Sequence, residues 1–374
     1  MLINRGAGGF VTALARGGKL IELIHDPFDR QSLVENIYAG IVKNINAGFI
    51  FVDIGLDKHA FLDSRDSREA ALLADGKLTV KQGDALIVQV LKDGFGGKGP
   101  LATTSLSAAG RYFVLTKSDR NGMTFSRKLD EAARNRLKPA AAHIPPGFSA
   151  IVRSEAEERS IDECIAEFPR LLSQFDAQEK WQYAKPPAAL VVRPAILKTL
   201  QEIAGADIDE ILVDCPDTFA LLKAEFCPLF PDFAPKLRFY DQNEPIFAHF
   251  FLQTQIPKIR EKKVWLNSGA FIVIEQTEAC VTIDVNSGKH SGRGNADNIK
   301  LKINMEAARE AAFQLRLRNL AGIIIIDFLH MHSRENITAL TQFLSGELAR
   351  DRIPAVCVGM TALGLMEVTR KRSR

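Results

Sequence analysis

The chain has 374 residues, 46% hydrophobic and 25% charged, with 48 basic against 45 acidic side chains and a net charge of +3. That length exceeds what one core usually fills, so two to three domains are expected, and the composition excludes a disordered or fibrous chain. The charge permits a nucleic-acid partner without demanding one, and the five cysteines (Cys164, Cys215, Cys227, Cys280, Cys357) form no CxxC pair, which argues for buried thiols in a reducing cytosol rather than disulfides or a thiolate zinc site.

The start, MLINRGAGGFVTALARGG, lacks the apolar core of a signal peptide, and no run of 18 apolar residues follows, so neither export nor a membrane segment is expected. The first 25 residues read as a strand pair too short to fold alone, completing a module further along. From Ala39 to about Phe113 short strand-like runs (GIVKNI, GFIFVDIG, DALIVQVL, GRYFVL) alternate with turn residues, which suits a five-stranded OB-type barrel. In GFIFVDIG, Ile50, Val52 and Ile54 alternate with Phe49, Phe51 and Asp53, so two aromatics share the face away from the core, and Phe61 in KHAFLD joins them. Such a face stacks single-stranded bases; the alternative is that both faces are buried and the phenylalanines are core. The loop GFGGKG matches GxGxxG, but PLATTSLS after it starts no helix, so it reads as a glycine-rich hairpin presenting Lys98 to phosphate.

Near Lys117 the composition shifts. SRKLDEAARNRLKPAAAHIPPG is a charged helix ending in a proline-rich break, AIVRSE opens a strand, and ERSIDECIAEFPRLLSQFDAQEKWQYA reads as one long helix before a second break, AKPPAALVVRPA. From Ile196 to Phe251 strands such as DEILVDC and KLRFYD alternate with helices, and beyond Pro257 the order is hairpin, strand, helix, strand, helix.

In VTIDVNSGKHSG the alternation places Val281, Ile283 and Val285 on one face and Thr282, Asp284 and Asn286 on the other, before Ser287 and Gly288 stop the strand. A helix follows, with Leu301, Met305, Ala308, Ala312 and Leu315 on its apolar stripe and Gly322 as its stop. Four isoleucines in GIIIIDFLHM predict a strand buried on both faces and ending at Asp327. Strand, crossover helix and strand form a parallel unit that, with the strands adjacent, brings Asp284 and Asp327 to one carboxyl edge. Either acid alone is an ordinary turn cap; two at matched ends suit a hard cation such as Mg²⁺ working on a phosphodiester. His330 and His332 offer an HxH zinc pair without a third ligand, so a solvated loop is the better reading. Lys289, His290 and Arg293 are candidate phosphate neighbours.

With these residues stated, the chain resembles the RNase E/G family of bacterial endoribonucleases. The resemblance rests on NIYAGIVKNI, FVDIGLDKHAFL, KGPLATTSLSAAGRYFVL, AIVRS, QTEACVTIDVNSGK, QLRLRNLAGIIIIDF and LGLMEVTRKR in the family's order. It implies an α+β multidomain architecture: an RNase H-like module (1–25 plus 196–257), an inserted OB-type RNA-binding domain (26–116), a 5′-sensor region (117–195) and a DNase I-like catalytic domain (258–374). By the same resemblance Asp284 and Asp327 bind Mg²⁺, with Mn²⁺ as an alternative, and Asn286 assists at the scissile phosphate. Phe51, Phe61 and Lys98 contact RNA, while Gly110, Val114, Arg153 and Ser154 form the 5′-monophosphate pocket. The implied activity is cleavage of single-stranded RNA to 5′-phosphate and 3′-hydroxyl ends in RNA processing or decay, in the cytoplasm. Departures are the missing CPxC motif, so a zinc-linked assembly is not expected while a homo-oligomer stays open, His330 where the family has Asp, Ile353 and Pro354 where a basic residue is common, and Ser154 for Thr. Two alternatives remain: an RNA-binding protein without cleavage, and a phosphodiesterase acting on DNA or small nucleotides.

Overall fold

The computed structural model describes residues 1–29, 31–46, 48–63, 73–74, 77–78, 80–94, 97–118, 121–176, 181, 183–204, 207–288 and 296–371. It is a mixed α+β structure in two compact units, one of Met1–Asp29, Ile208–Ala220 and Lys236–Arg374, the other of Arg30–Asp207 and Leu221–Pro235.

In the second of these units five strands close into a barrel consistent with an OB-like fold. The order is Ile37–Asn46, Phe49–Asp53, Ala60–Asp63, Leu101–Thr103 and Ala85–Lys92, and Ile37–Asn46 pairs with both Phe49–Asp53 and Ala85–Lys92 to complete the circle. Period-2 alternation sends Ile50, Val52, Ile54, Leu62, Val88 and Val90 inward as its core. The GRYFVL segment is not a stave of this barrel. Its strand, Phe113–Lys117, lies in a separate four-stranded sheet with Ser107–Ala109, Phe148–Val152 and Gly122–Phe125, and Phe113 and Leu115 anchor that sheet's own core with Leu137 and Leu171. The barrel closes instead through the three-residue strand after Pro100, too short for an alternation pattern to reveal.

The long helix expected after AIVRSE is broken into Ile161–Ile165 and Phe168–Ser173. Pro169 has no N–H to give to the carbonyl four residues back and its ring would strike it, so a helix ends ahead of it and another begins with the proline in its first turn. Glu167 stands at the break.

In the first unit the N-terminal strands Leu2–Gly6, Gly9–Arg16 and Lys19–Pro27 form a meander, and Leu2–Gly6 also pairs in parallel with Ile211–Val213, itself parallel to Leu237–Phe239. The remaining sheet has the order Lys263–Trp265, Phe271–Gln276, Cys280–Asn286, Gly322–Asp327, Met366–Arg370 and Ala355–Met360. Among the described residues only the pairing of Cys280–Asn286 with Gly322–Asp327 is parallel in this sheet, the crossover including the helix Ala296–Leu317. That helix and Arg334–Leu348 cover one face, packing Ala307, Ala308, Ala311, Leu315, Leu340 and Leu344 onto Ile272, Ile274, Val281, Ile283, Ile324 and Ile326. The helix stops at Asn319, which takes φ 50°, with Leu320 N–H returning to the Leu315 carbonyl at 2.9 Å. Gly322, expected as the stop, opens the next strand instead.

The isoleucine run is therefore buried on one face only. Ile324 and Ile326 are fully covered, Ile325 is half-buried and Ile323 is 54% exposed, because both helices lie on the same side of the sheet.

Candidate active site

Thr282, Asp284 and Asn286 occupy the uncovered face while Val281, Ile283 and Val285 point to the helices, as the alternation predicts. In the parallel ladder Asp284 is the register partner of Asp327, so the two carboxylates project from the same face of neighbouring strands, whose axes lie about 4.8 Å apart. Both are exposed. Asn286, two residues beyond Asp284 on the same face, donates from Nδ2 to Asp284 Oδ2 at 2.7 Å. One amide hydrogen is thereby spent on aiming the carboxylate, and the second is left to donate elsewhere.

Gly288 ends this strand at φ 64°, where a Cβ would lie 2.4 Å from the Gly269 carbonyl oxygen, so the approach of the two loops requires glycine. On the other strand the segment after Asp327 is pinned by residues that sequence reasoning missed. Buried Asn304 bonds Leu329 reciprocally, from Nδ2 to its carbonyl at 2.8 Å and from its N–H at 3.0 Å. Asp297 accepts the N–H groups of His332 and Ser333 at 2.9 and 3.1 Å, which hold its carboxyl below the ordinary value. The available signal was a polar residue inside an apolar stripe: Asn304 sits between buried Ile303 and Ala307.

His330 and His332 lie in the loop past the strand, both exposed, with their rings in an edge contact at 4.8 Å. Among the described residues no cluster of three or more His, Cys, Asp or Glu side chains assembles into a metal cage. Two exposed carboxylates in register, with no cationic partner among the described residues, are still an all-oxygen donor set of the kind that holds a hydrated hard cation. Lys289, His290 and Arg293 lie outside the described residues.

On the barrel Phe51 and Phe61 are register partners on the outer face, each half-buried, and Phe49 meets Phe61 edge-on at 6.0 Å. Lys98 is exposed, and added Cβ atoms at Gly94 and Gly99 would strike the Lys98 and His59 carbonyl oxygens at 2.4 and 1.9 Å. Gly99 thus packs tightly against the residues leading into the Phe61 strand, and Phe61 N–H bonds the Pro100 carbonyl at 2.9 Å.

Arg153 and Gly110 also meet: the guanidinium donates to the Gly110 carbonyl at 2.6 Å. Val114 pairs with Ala109 and Ile151 in the adjoining sheet. The Ser154 hydroxyl bonds the Glu155 carboxylate at 3.3 Å. At the helix break Glu167 accepts three successive backbone N–H groups, from Arg111, from Tyr112 at 3.0 Å and from Phe113 at 3.1 Å. Burial outweighs these donors and raises its carboxyl above the ordinary value. Gly110 has no room for a side chain, since a Cβ would stand 2.3 Å from that carboxylate. Burial, with donation to Glu163 at 2.9 Å, pushes the Tyr112 hydroxyl up to about 12.

Matched aspartates on a parallel strand pair, in a chain that also carries an aromatic-faced barrel, suit chemistry on a nucleic-acid phosphodiester. The chain belongs to the Ribonuclease E/G family, whose sequence profile matches residues 107–373. It is 34% identical over 396 aligned positions to Ribonuclease G of Escherichia coli K12, covering 100% of this chain and 80% of that protein. Ribonuclease G of Haemophilus influenzae is 33% identical over 385 positions, covering 97% of this chain and 77% of the relative. Ribonuclease E of Escherichia coli K12 is 32% identical over 375 positions, covering 96% of this chain and 35% of that longer protein. No helix among the described residues is long and apolar enough to cross a membrane.

Proposed function

We propose that the protein is an endoribonuclease of RNA processing or decay that cuts single-stranded RNA to 5′-phosphate and 3′-hydroxyl ends in the cytoplasm. The observation that carries the reading is the register pairing of Asp284 with Asp327, with Asn286 on the same open face, in a chain of this family. The C-terminal part, 258–374, serves as a DNase I-like catalytic domain, 1–25 with 196–257 as an RNase H-like module, and 26–116 and 117–195 as RNA-binding and 5′-sensing regions.

Asp284 and Asp327 hold a divalent cation, Mg²⁺ with Mn²⁺ as a substitute. When bound, that ion supplies Lewis-acid polarisation of the phosphodiester and an acidified water. Asn286 fixes the Asp284 rotamer through its 2.7 Å bond and gives its second amide hydrogen to a phosphate oxygen, where negative charge grows as the 3′ oxygen leaves. Asn304 and Asp297 hold the loop behind Asp327 rigid, so the carboxylate is placed before substrate arrives.

Phe51 and Phe61 stack bases, Lys98 contacts backbone phosphate, and Arg153 with Gly110, Val114 and Ser154 receives a 5′-monophosphate. A binding protein without turnover gains nothing from two matched exposed carboxylates that have no cationic partner among the described residues.

The test is cleavage of one single-stranded RNA carrying either a 5′-monophosphate or a 5′-hydroxyl, with and without Mg²⁺, by the parent and Arg153→Leu. Expected are Mg²⁺-dependent cutting, faster on the monophosphate, and loss of that preference in the variant. Equal rates on both ends would remove the sensor, and no cleavage of either RNA in Mg²⁺ would remove the enzyme.

A further inference from the structure

Beside the two aspartates the open face of the C-terminal sheet carries an aromatic and cationic group that none of the functional residues above includes. The register runs Lys263, Val273, Asp284, Asp327 across four strands, and Trp265, Phe271, Asn286 across three of the same strands. Residues two apart share a face, so Lys263 and Trp265 stand on the side that bears Asp284 and Asn286. Val264 between them turns to the helical core.

The Trp265 and Phe271 ring centroids are 5.2 Å apart at 60°, and the Lys263 ammonium lies 4.0 Å from the first and 3.7 Å from the second. The cation takes one side of the indole, yet Trp265 is still 63% exposed. Among the described residues Lys263 has no carboxylate partner. A large planar apolar ring held in place by a lysine and left open to solvent is an uncommon use of tryptophan on a protein surface. It lies two strand spacings, about 10 Å, from Asn286.

We propose that Trp265, steadied by Phe271 and Lys263, is a base-stacking subsite for a nucleotide flanking the scissile phosphate, with Lys263 balancing the backbone charge there. This rests on the endoribonuclease reading and adds a platform on the catalytic sheet itself, separate from the barrel aromatics. Stacking on an indole tolerates any base, so the subsite supplies affinity and placement near the cut rather than sequence choice. A lysine at the ring favours a polyanion over an apolar protein partner, because an interface core usually excludes lysine.

The chain has two tryptophans, and Trp181 is 7% exposed, so quenching of indole emission by added RNA reports on Trp265. The probe is a short single-stranded oligouridylate, titrated in EDTA into the full chain. Quenching with saturation is expected in the parent and is lost in Trp265→Phe, which leaves only Trp181. In cleavage assays Trp265→Ala raises KM about tenfold with kcat within about threefold, and Trp265→Phe restores most of the KM.

Parent emission that stays unchanged while fluorescence anisotropy shows the RNA bound would overturn the proposal, as would an unaltered KM in Trp265→Ala. A fall in molecular mass of Trp265→Ala without a change in KM would assign the face to a protein partner and also overturn it. Asp284→Asn assayed alongside separates the two ideas: full activity there sinks the nuclease reading, whereas the emission titration needs no turnover.

Discussion

Asp284 and Asp327 are register partners across a parallel strand pair, so one backbone ladder sets the relation of the two carboxylates. Parallel partners point the same way, and the helices fill the opposite face, which leaves both acids open to a ligand. Chain entry and exit on these strands are fixed by Gly288 against Gly269 and by Asn304 against Leu329.

Asn304→Leu tests the second of these anchors. It removes both bonds to Leu329 and leaves a part-buried carbonyl and N–H unpaired, so urea denaturation should show a loss of about 1–3 kcal/mol. Under conditions where the variant stays folded, kcat should fall more than KM rises, because the loop that continues from Asp327 is no longer held. Unchanged stability would mean that the loop finds other partners.

Phe61→Ala tests the barrel face. Its ring is the register partner of Phe51 and touches Phe49, and loss of one stacked base costs about 1–3 kcal/mol. Fluorescence anisotropy with a single-stranded RNA should therefore show binding weakened roughly 5- to 150-fold, with melting temperature little altered because the ring is outside the core. Equal affinity would place the aromatic row outside the RNA path.

Glu167 predicts a pH dependence. Its carboxyl, raised from the ordinary value of 4.5 by burial, binds its proton more tightly in the folded than in the unfolded chain. Such a group contributes stability that is full below about 4.5 and is lost as pH rises through the folded value. Glu167→Gln removes the titration, so the variant's stability should fall less than the parent's between pH 4.5 and neutrality. Parallel stability curves for the two proteins would contradict the assignment.

How much of this was legible follows from the physics of each segment. Period-2 alternation in VTIDVN separated the faces of that strand correctly, and the crossover helix implied two parallel strands, side by side or flanking another, of which the structure takes the first and so pairs Asp284 with Asp327. The isoleucine run misled because four apolar residues show composition without revealing which faces are covered, and Ile323 is more than half exposed. The helix break at Glu167 was written in Pro169 but hidden by the helical period on either side. Asn304 acts on backbone groups 25 residues away, a relation no local pattern contains. Trp265 stands beside the candidate site only through the register of two hairpin strands.

The central claim, that Asp284 and Asp327 together hold the ion that drives cleavage, is tested most directly by single-turnover cutting of a 5′-monophosphorylated single-stranded RNA in Mg²⁺. The parent is compared with Asp284→Asn, Asp327→Asn and the double variant, with RNA affinity measured in parallel. The account predicts that each single variant loses at least about a hundredfold in rate at unchanged affinity, and that the double variant is no worse than the singles, as for residues acting as one unit. Cleavage by either single variant at the parental rate would contradict it.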